Sequence, residues 1–135
     1  MNTILYNVLT SACFAFTGWY AARRQCPDIQ WGCTACLITS WLYHGGRLVL
    51  PPGLVLHVIR WIDILCWHAS VLYFLWICAC WDFMYFMSVL AAFCSAFIHC
   101  RYDLTNEQHS VLHVIANLGI VCLIESVSDK YITVV

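Results

Sequence analysis

Charge is scarce in this sequence. Charged residues make up 10% of its 135 residues, against roughly 25% in typical globular proteins. The six Lys and Arg nearly cancel the seven Asp and Glu, so no basic excess is present that would attract a nucleic acid. Breakers are also few, with three prolines and six glycines, and no internal repeat or low-complexity linker divides the chain. We therefore expect a single domain over residues 1–135 and no nucleic-acid partner.

Apolar residues, by contrast, dominate the composition. Hydrophobic residues make up 63% of the chain and aromatic residues 16%, and the mean hydropathy is +0.79. A water-soluble chain of this length leaves a large share of its surface exposed, so it could not hide this much apolar area. The composition therefore predicts an integral membrane protein, and specifically an all-α polytopic helix bundle.

The ten cysteines are the other abundant residue type. Most of them lie inside apolar runs, where a free thiol behaves as a small hydrophobic group. Cys33 and Cys36 form a C-x-x-C pair, but without a second such pair this is a weak signal for redox chemistry or for a zinc half-site. The sequence leaves open whether any of the cysteines form disulfides.

Five apolar runs have the length of a membrane span. A helix needs about 20 residues to cross the hydrocarbon core. The continuous run over residues 54–99 suffices for two helices, and Asp82 is the charge near its midpoint. The first run lacks the basic start of a signal peptide, so we expect it to be retained. The predicted spans cover residues 4–22, 31–50, 54–79, 83–99 and 108–127.

The orientation in the membrane follows from few charges. Arg23 and Arg24 come directly after the first span, and basic loops favour the cytoplasmic side. The N-terminus is then outside or lumenal, and the C-terminus, with Lys130, is cytoplasmic. Arg47 and Arg101 favour the opposite orientation. We expect a multi-pass protein of the plasma membrane or an endomembrane.

Five polar side chains inside the predicted spans are candidates for function, because ionisable groups in a membrane are costly. Ser40 and His44 are four residues apart in the second span, Asp63 lies in the third, and His109 and His113 begin the fifth. Histidines four apart on a helix share one face and can offer two metal ligands. With five spans, all these residues approach the same membrane face. Three imidazoles beside a carboxylate match the pattern of a catalytic zinc site.

Simpler interpretations of the same residues exist. The H-x-x-x-H pair is often structural, and His44 can bond a backbone carbonyl across the bundle. Asp63 can pair with Arg60, which precedes it by three residues on the same helix. Two other histidines of the third span, His57 and His68, fall on different faces from Asp63 and are set aside. His99 ends the fourth span at the same membrane face as the candidate site and stays a rival ligand.

The ordered motifs resemble those of the CREST superfamily of membrane hydrolases, which includes alkaline ceramidases, adiponectin and progestin receptors, GPI-remodelling lipases and myomaker-related proteins. The motifs are SWLYH at residues 40–44, RWIDIL at 60–65 and HSVLHVIANLG at 109–119. The resemblance covers roughly residues 34–80 and 105–125. The aromatic residue before His44 and the arginine before Asp63 favour the myomaker-like branch.

The resemblance implies a zinc-dependent hydrolase of a lipid amide or ester, with membrane lipid as its partner. His44, His109 and His113 would bind zinc, Asp63 would orient the attacking water, and Ser40 would assist at the metal or the oxyanion. The family typically has seven spans, so this chain would be a shortened member. Two alternatives stay open: a non-catalytic relative in fusion or signalling that keeps a structural metal, and a bundle whose polar residues only join helices.

Overall fold

The chain folds into helices alone in the parts that the computed structural model describes, which are residues 3–77, 82–101 and 105–132. The first two helices are consecutive parts of one interrupted rod, so these ranges form an all-α bundle of five helices, and the predicted fold class is confirmed at this level. The helices are α1 (Thr3–Ser11), α2 (Cys13–Arg23), α3 (Pro27–Val49), α4 (Leu54–Ile77), α5 (Phe83–Arg101) and α6 (Asn106–Ile132).

The interruption between α1 and α2 departs from the single helix predicted for the first span. Ala12 keeps helical angles, with φ −62° and ψ −17°, but its N–H bonds three residues back instead of four, at 3.1 Å. Just before it, the hydroxyls of Thr10 and Ser11 donate to the carbonyls of Tyr6 (2.9 Å) and Asn7 (2.6 Å). Hydrogen bonds of this kind compete with the helical ladder and bend helices. The polar side chains therefore explain the tightened turn.

The loop predicted over residues 23–30 is shorter than expected, because α3 begins at Pro27. Proline suits the first helical position, where its missing N–H has no helical partner anyway. Asp28 follows in the first turn, where a negative charge interacts favourably with the helix dipole. Gln25, in the tight connection, takes φ 58°. The second predicted span, 31–50, thus becomes a longer helix.

Asp82 marks the boundary between α4 and α5, as the sequence predicts. Its carboxylate accepts a hydrogen bond from the Tyr85 N–H at 2.7 Å, which satisfies one of the free donors at the start of α5. The other carboxylate oxygen accepts from the Ser126 hydroxyl of α6 at 2.8 Å. The last residues predicted for the third span, 78 and 79, lie outside the described residues.

Helices α3 and α6 organise the packing. Helix α6 contacts α1, α2 and α5, and α3 contacts α1, α2 and α4. Helix α4 packs mainly on α3 and α5 mainly on α6, so a cleft remains between α4 and α5 with α6 at its base. The buried core lies among α2, α3 and α6, with one phenylalanine from α4; it includes Phe14, Ile29, Cys33, Phe74, Ile120, Leu123 and Ile124.

The first rod runs parallel to α6. At one end, the Ser110 hydroxyl donates to the Asn7 side-chain oxygen at 2.6 Å. At the other end, Arg24 donates to both carboxylate oxygens of Glu125, at 2.7 and 2.6 Å, and the Tyr20 hydroxyl donates to the same carboxylate. The start of α1 and the end of α6 therefore lie at opposite ends of the bundle, and the end of α3 lies beside the start of α6.

Much of the outer surface is apolar. Large side chains such as Leu54 (78%), Trp31 (67%) and Trp76 (83%) are mostly exposed. Two helices in the described ranges, Leu54–Trp76 and Glu107–Ser128, are long and apolar enough to cross a membrane, and Phe83–Ile98 is a shorter apolar helix. The buried core helix of a soluble protein can have the same length and composition, so these two helices are weak evidence for a membrane. The sequence predicts five spans, of which two meet this criterion.

Candidate metal centre

Three histidines converge where the end of α3 meets the start of α6. His44 comes from α3, and His109 and His113 occupy successive turns of α6. One ring nitrogen from each lies within 4.8 Å of the others. The ring centroids are 5.1 Å apart for His44 and His109, 5.4 Å for His44 and His113, and 4.8 Å for His109 and His113. The structure thus brings together the residues predicted as metal ligands, in a group that could hold a metal ion.

His44 has an unusual environment. It is 1% exposed, and neither of its ring nitrogens has a hydrogen-bond partner among the described residues. A neutral imidazole carries one donor and one acceptor, and leaving a buried polar group unpaired costs about 1–3 kcal/mol. The alternative in which His44 bonds a backbone carbonyl is therefore not observed. A metal ion that accepts a lone pair from this ring would remove part of the cost.

His113 is oriented by Thr10, a residue that the sequence analysis missed. The Thr10 hydroxyl lies 3.1 Å from Nδ1 of His113 and donates its own proton to the Tyr6 carbonyl at 2.9 Å. It therefore accepts the proton of Nδ1–H, which leaves a lone pair on Nε2. Metal-binding histidines typically donate their other N–H in this way. The available signal was the helical spacing of Asn7, Thr10 and Ser11 in an apolar run.

The donor set fits zinc. Three neutral imidazoles with one open position are the ligands of many catalytic zinc sites. Zinc–nitrogen bonds of about 2.0–2.1 Å in a tetrahedral site place the nitrogens about 3.3 Å apart. The nitrogens observed here lie within 4.8 Å of one another, so the rings would have to move closer together to hold the ion.

A partly open cavity of about 70 Å³ adjoins the histidine group. Four of the predicted site residues line it, namely Ser40, Asp63, His109 and His113. The rest of its wall is largely apolar and includes Phe14, Ile64, Trp67, Ala96, Leu112 and Ala116. A carboxylate, a hydroxyl and two of the three imidazoles therefore share one mostly apolar space.

Asp63 is held by α3 and not by a cation. Its Oδ1 accepts a hydrogen bond from the Thr39 hydroxyl at 3.1 Å. Arg60 is exposed, and between these two described residues there is no ion pair. The alternative in which Arg60 neutralises Asp63 is therefore not observed. Since no basic side chain of the described residues pairs with it, the carboxylate can serve as a proton acceptor in the cavity.

Ser40 is also held in place by α1. Its hydroxyl lies 2.9 Å from the Ser11 hydroxyl, which donates its own proton to the Asn7 carbonyl at 2.6 Å. Ser40 therefore donates its hydroxyl proton to Ser11. Its oxygen lone pairs remain available to accept hydrogen bonds in the cavity. The predicted role of Ser40 as a donor to an oxyanion would require it to release this hydrogen bond.

Of the other three histidines, His57 and His68 belong to α4, and the side chain of His99, the rival ligand, lies outside what the structure describes. His57 accepts a hydrogen bond from the Trp61 indole on the exposed face of α4, at 2.9 Å. His68, also set aside because of its angle from Asp63, lines the cavity together with Asp63. A broad cavity contacts more than one face of the helix beside it. Two residues on different faces of α4 can therefore line the same cavity.

No protein-family model, curated protein or solved structure matches this chain. The resemblance of its three polar motifs to the CREST superfamily thus stays a hypothesis, and the function has to be inferred from the site itself.

Proposed function

We propose that this chain is a zinc-dependent integral-membrane hydrolase that cleaves a lipid amide or ester, as a shortened member of the CREST superfamily. The observation that carries this proposal is the buried His44, whose ring nitrogens have no hydrogen-bond partner in the part of the chain that the structure describes. It stands in a group of three imidazoles beside a cavity that also contains Asp63. A site built only to join helices would be expected to pair these nitrogens with protein groups.

The apolar exterior supports the membrane location. Soluble monomers rarely expose contiguous apolar patches larger than a few hundred Å². Phe74 is the one buried residue of the Leu54–Trp76 stretch of α4, and the outward side chains of this stretch include Leu72 (69% exposed) and Trp76 (83% exposed). Contact with lipid tails removes the cost of exposing such groups to water. The pair Arg23 and Arg24 favours a cytoplasmic end at α2, with the N-terminus outside or lumenal.

His44, His109 and His113 are the residues that would hold the zinc ion, with Thr10 fixing the ring of His113. Zinc bound by neutral imidazoles supplies a Lewis acid that polarises a carbonyl and lowers the pKa of water towards about 7. The walls of the cavity are largely apolar, and electrostatic interactions are stronger in an apolar space than in bulk water.

The chain's own residues supply the remaining chemistry. Asp63 orients the attacking water and accepts its proton, a role that requires a carboxylate without a paired cation. Ser40 offers its lone pairs to the same space. The cavity lies next to the cleft between α4 and α5, since Trp67 and Ala116 line both. An acyl chain arriving from the bilayer would enter the cavity with its polar end at Asp63.

A second candidate function is a membrane protein with a structural metal and no turnover. The ligands come from α3 and α6, and Thr10 adds α1. An ion held there would therefore link three helices of the bundle whether or not a reaction follows. Both candidates predict bound metal, and only the first predicts hydrolysis.

The first experiment measures the zinc content of the full chain purified in detergent. We expect about one zinc ion per chain, and its loss when His109 and His113 are both changed to Ala. Wild-type protein that carries no zinc after gentle purification and zinc supplementation would contradict both candidates.

The second experiment measures zinc content and lipid turnover on one preparation of Asp63→Asn, with ceramides and phospholipids as substrates. We expect zinc to be retained and turnover to fall by about 10²–10⁴-fold, because an amide cannot accept the proton of water. The matched control is Asp28→Asn, an exposed aspartate at the other end of α3, which should retain wild-type turnover.

The remaining outcomes are also informative. Zinc retained with turnover intact would remove Asp63 from the mechanism. Loss of zinc would make Asp63 a ligand and reassign one of the histidines. Wild-type protein that holds zinc and hydrolyses no substrate would favour the structural metal.

A further inference from the structure

A serine on the far side of the cavity has no hydrogen-bond partner. Ser95 of α5 is 4% exposed, and its hydroxyl is unpaired among the described residues. A hydroxyl in a helix commonly donates to the carbonyl four residues earlier, as Thr34 does at 2.9 Å. Ser95 does not, although it lines the cavity. An unpaired buried hydroxyl is costly, so a partner supplied by a ligand is the natural explanation.

A second polar group on the cavity wall complements Ser95. Nδ1 of His68 lies 2.7 Å from the Ile64 carbonyl. A carbonyl can only accept, so Nδ1 carries the proton, and Nε2 of the neutral ring is a hydrogen-bond acceptor. His68 lines the same cavity as Ser95 and is not part of the three-histidine group. The walls from α4 and α5 therefore provide one donor and one acceptor.

The chemistry of these two groups restricts what they can bind. Their neighbours in the wall, Ile64, Trp67 and Ala96, are apolar, so the ligand has a largely apolar body. One hydroxyl group can accept a hydrogen bond from Ser95 and donate one to His68 at the same time. We propose that Ser95 and His68 form a hydroxyl-binding subsite that selects lipids with a hydroxyl close to the scissile amide or ester. Cleavage of this amide or ester rests on the proposed function, whereas binding at this subsite does not require zinc.

Two probes that differ only in a hydroxyl test this subsite. N-palmitoylethanolamine carries the hydroxyl next to an amide, and N-ethylpalmitamide lacks it. Binding of each to the full chain in detergent micelles is measured by calorimetry. We expect the wild type to bind the hydroxylated probe about threefold to tenfold more tightly, the usual effect of one or two neutral hydrogen bonds.

Ser95→Ala should abolish this preference while leaving the affinity for N-ethylpalmitamide unchanged. It should also fold at least as well as the wild type, because it removes an unpaired hydroxyl. Ser95→Thr keeps a hydroxyl and should retain the preference. The matched control is Ser88→Ala, a serine of α5 that is 5% exposed and lines the neighbouring cleft instead; it should behave as the wild type. His68→Leu should lower the preference independently.

Equal binding of the two probes by the wild type would overturn the subsite. The same conclusion would follow if neither probe bound, or if Ser95→Ala still preferred the hydroxylated probe. The failure of the proposed function has a different signature. A chain that prefers the hydroxylated probe but holds no zinc and hydrolyses no lipid would keep the subsite and refute the hydrolase. A chain that hydrolyses lipid but binds both probes equally would keep the hydrolase and refute the subsite.

Discussion

Two short chains of hydrogen bonds hold the polar side chains at the metal centre. One leads from the Tyr6 carbonyl through the Thr10 hydroxyl to His113. The other leads from the Asn7 carbonyl through Ser11 to Ser40. In both, a backbone carbonyl of α1 fixes which way the hydroxyl proton points. Helix α1 thereby determines which ring nitrogen of His113 carries the proton. It also determines that Ser40 can offer only lone pairs to the cavity, although α1 contributes no metal ligand itself.

The role of Thr10 can be tested by Thr10→Val, which keeps the shape of the side chain and removes the hydroxyl. We expect zinc affinity to fall by about 10–100-fold, the usual effect of losing the partner that orients a ligand. The measurement is a competition titration with a zinc chelator. Thr34→Val is the control, since Thr34 makes the same type of bond to its own helix, at 2.9 Å, outside the cavity. Wild-type affinity in Thr10→Val would show that His113 needs no such support.

At the scale of the elements, the contact between α3 and α4 depends on a close approach at Gly32. A Cβ atom at this position would lie 2.1 Å from Cζ of Phe74, a ring that is 2% exposed. Gly45 in the same helix has open space, with nothing within 4 Å of such an atom. One helix thus contains a glycine required for packing and a glycine that is not.

Gly32→Ala and Gly45→Ala form a matched pair for this contact. Both gain about 1 kcal/mol of helix propensity, so the difference between their unfolding free energies isolates the cost of the clash. We expect Gly32→Ala to be the less stable by about 1–3 kcal/mol. Thermal unfolding in detergent with a chelator present measures this without a contribution from metal. Equal stabilities would mean that the Phe74 ring moves aside at no cost.

At the scale of the whole molecule, the order of the helices places the site. The first rod and α6 run in the same direction, with Asn7 near Ser110 at one end and Arg24 near Glu125 at the other. Helix α3 runs in the opposite direction, so the end of α3 meets the start of α6. His44 therefore reaches His109 and His113 from a distant part of the sequence.

The same order predicts the membrane topology. If every rod crosses the bilayer, an odd number of crossings places the termini on opposite sides, with the N-terminus outside or lumenal. A glycosylation acceptor added at the N-terminus should be modified and one at the C-terminus should not. Protease protection of the C-terminal tag provides the complementary measurement. Both termini on one side would refute the five-span proposal.

The sequence by itself determined the all-α class and the approximate location of each helix. Long apolar runs bounded by charges and prolines are compatible with few structures other than helices. It also grouped His44 with His109 and His113, since histidines four apart on a helix share a face wherever that helix packs. The odd number of helices then set which helix ends meet. These features depend on periodicity and chain direction, which can be read from short stretches of the sequence.

Only the tertiary structure decided which side chains support that group. Thr10 meets His113, and His68 and Ser95 line the cavity with Asp63, because of how each helix is rotated about its axis. Side-chain packing against neighbouring helices sets that rotation, and neither hydropathy nor span length encodes it.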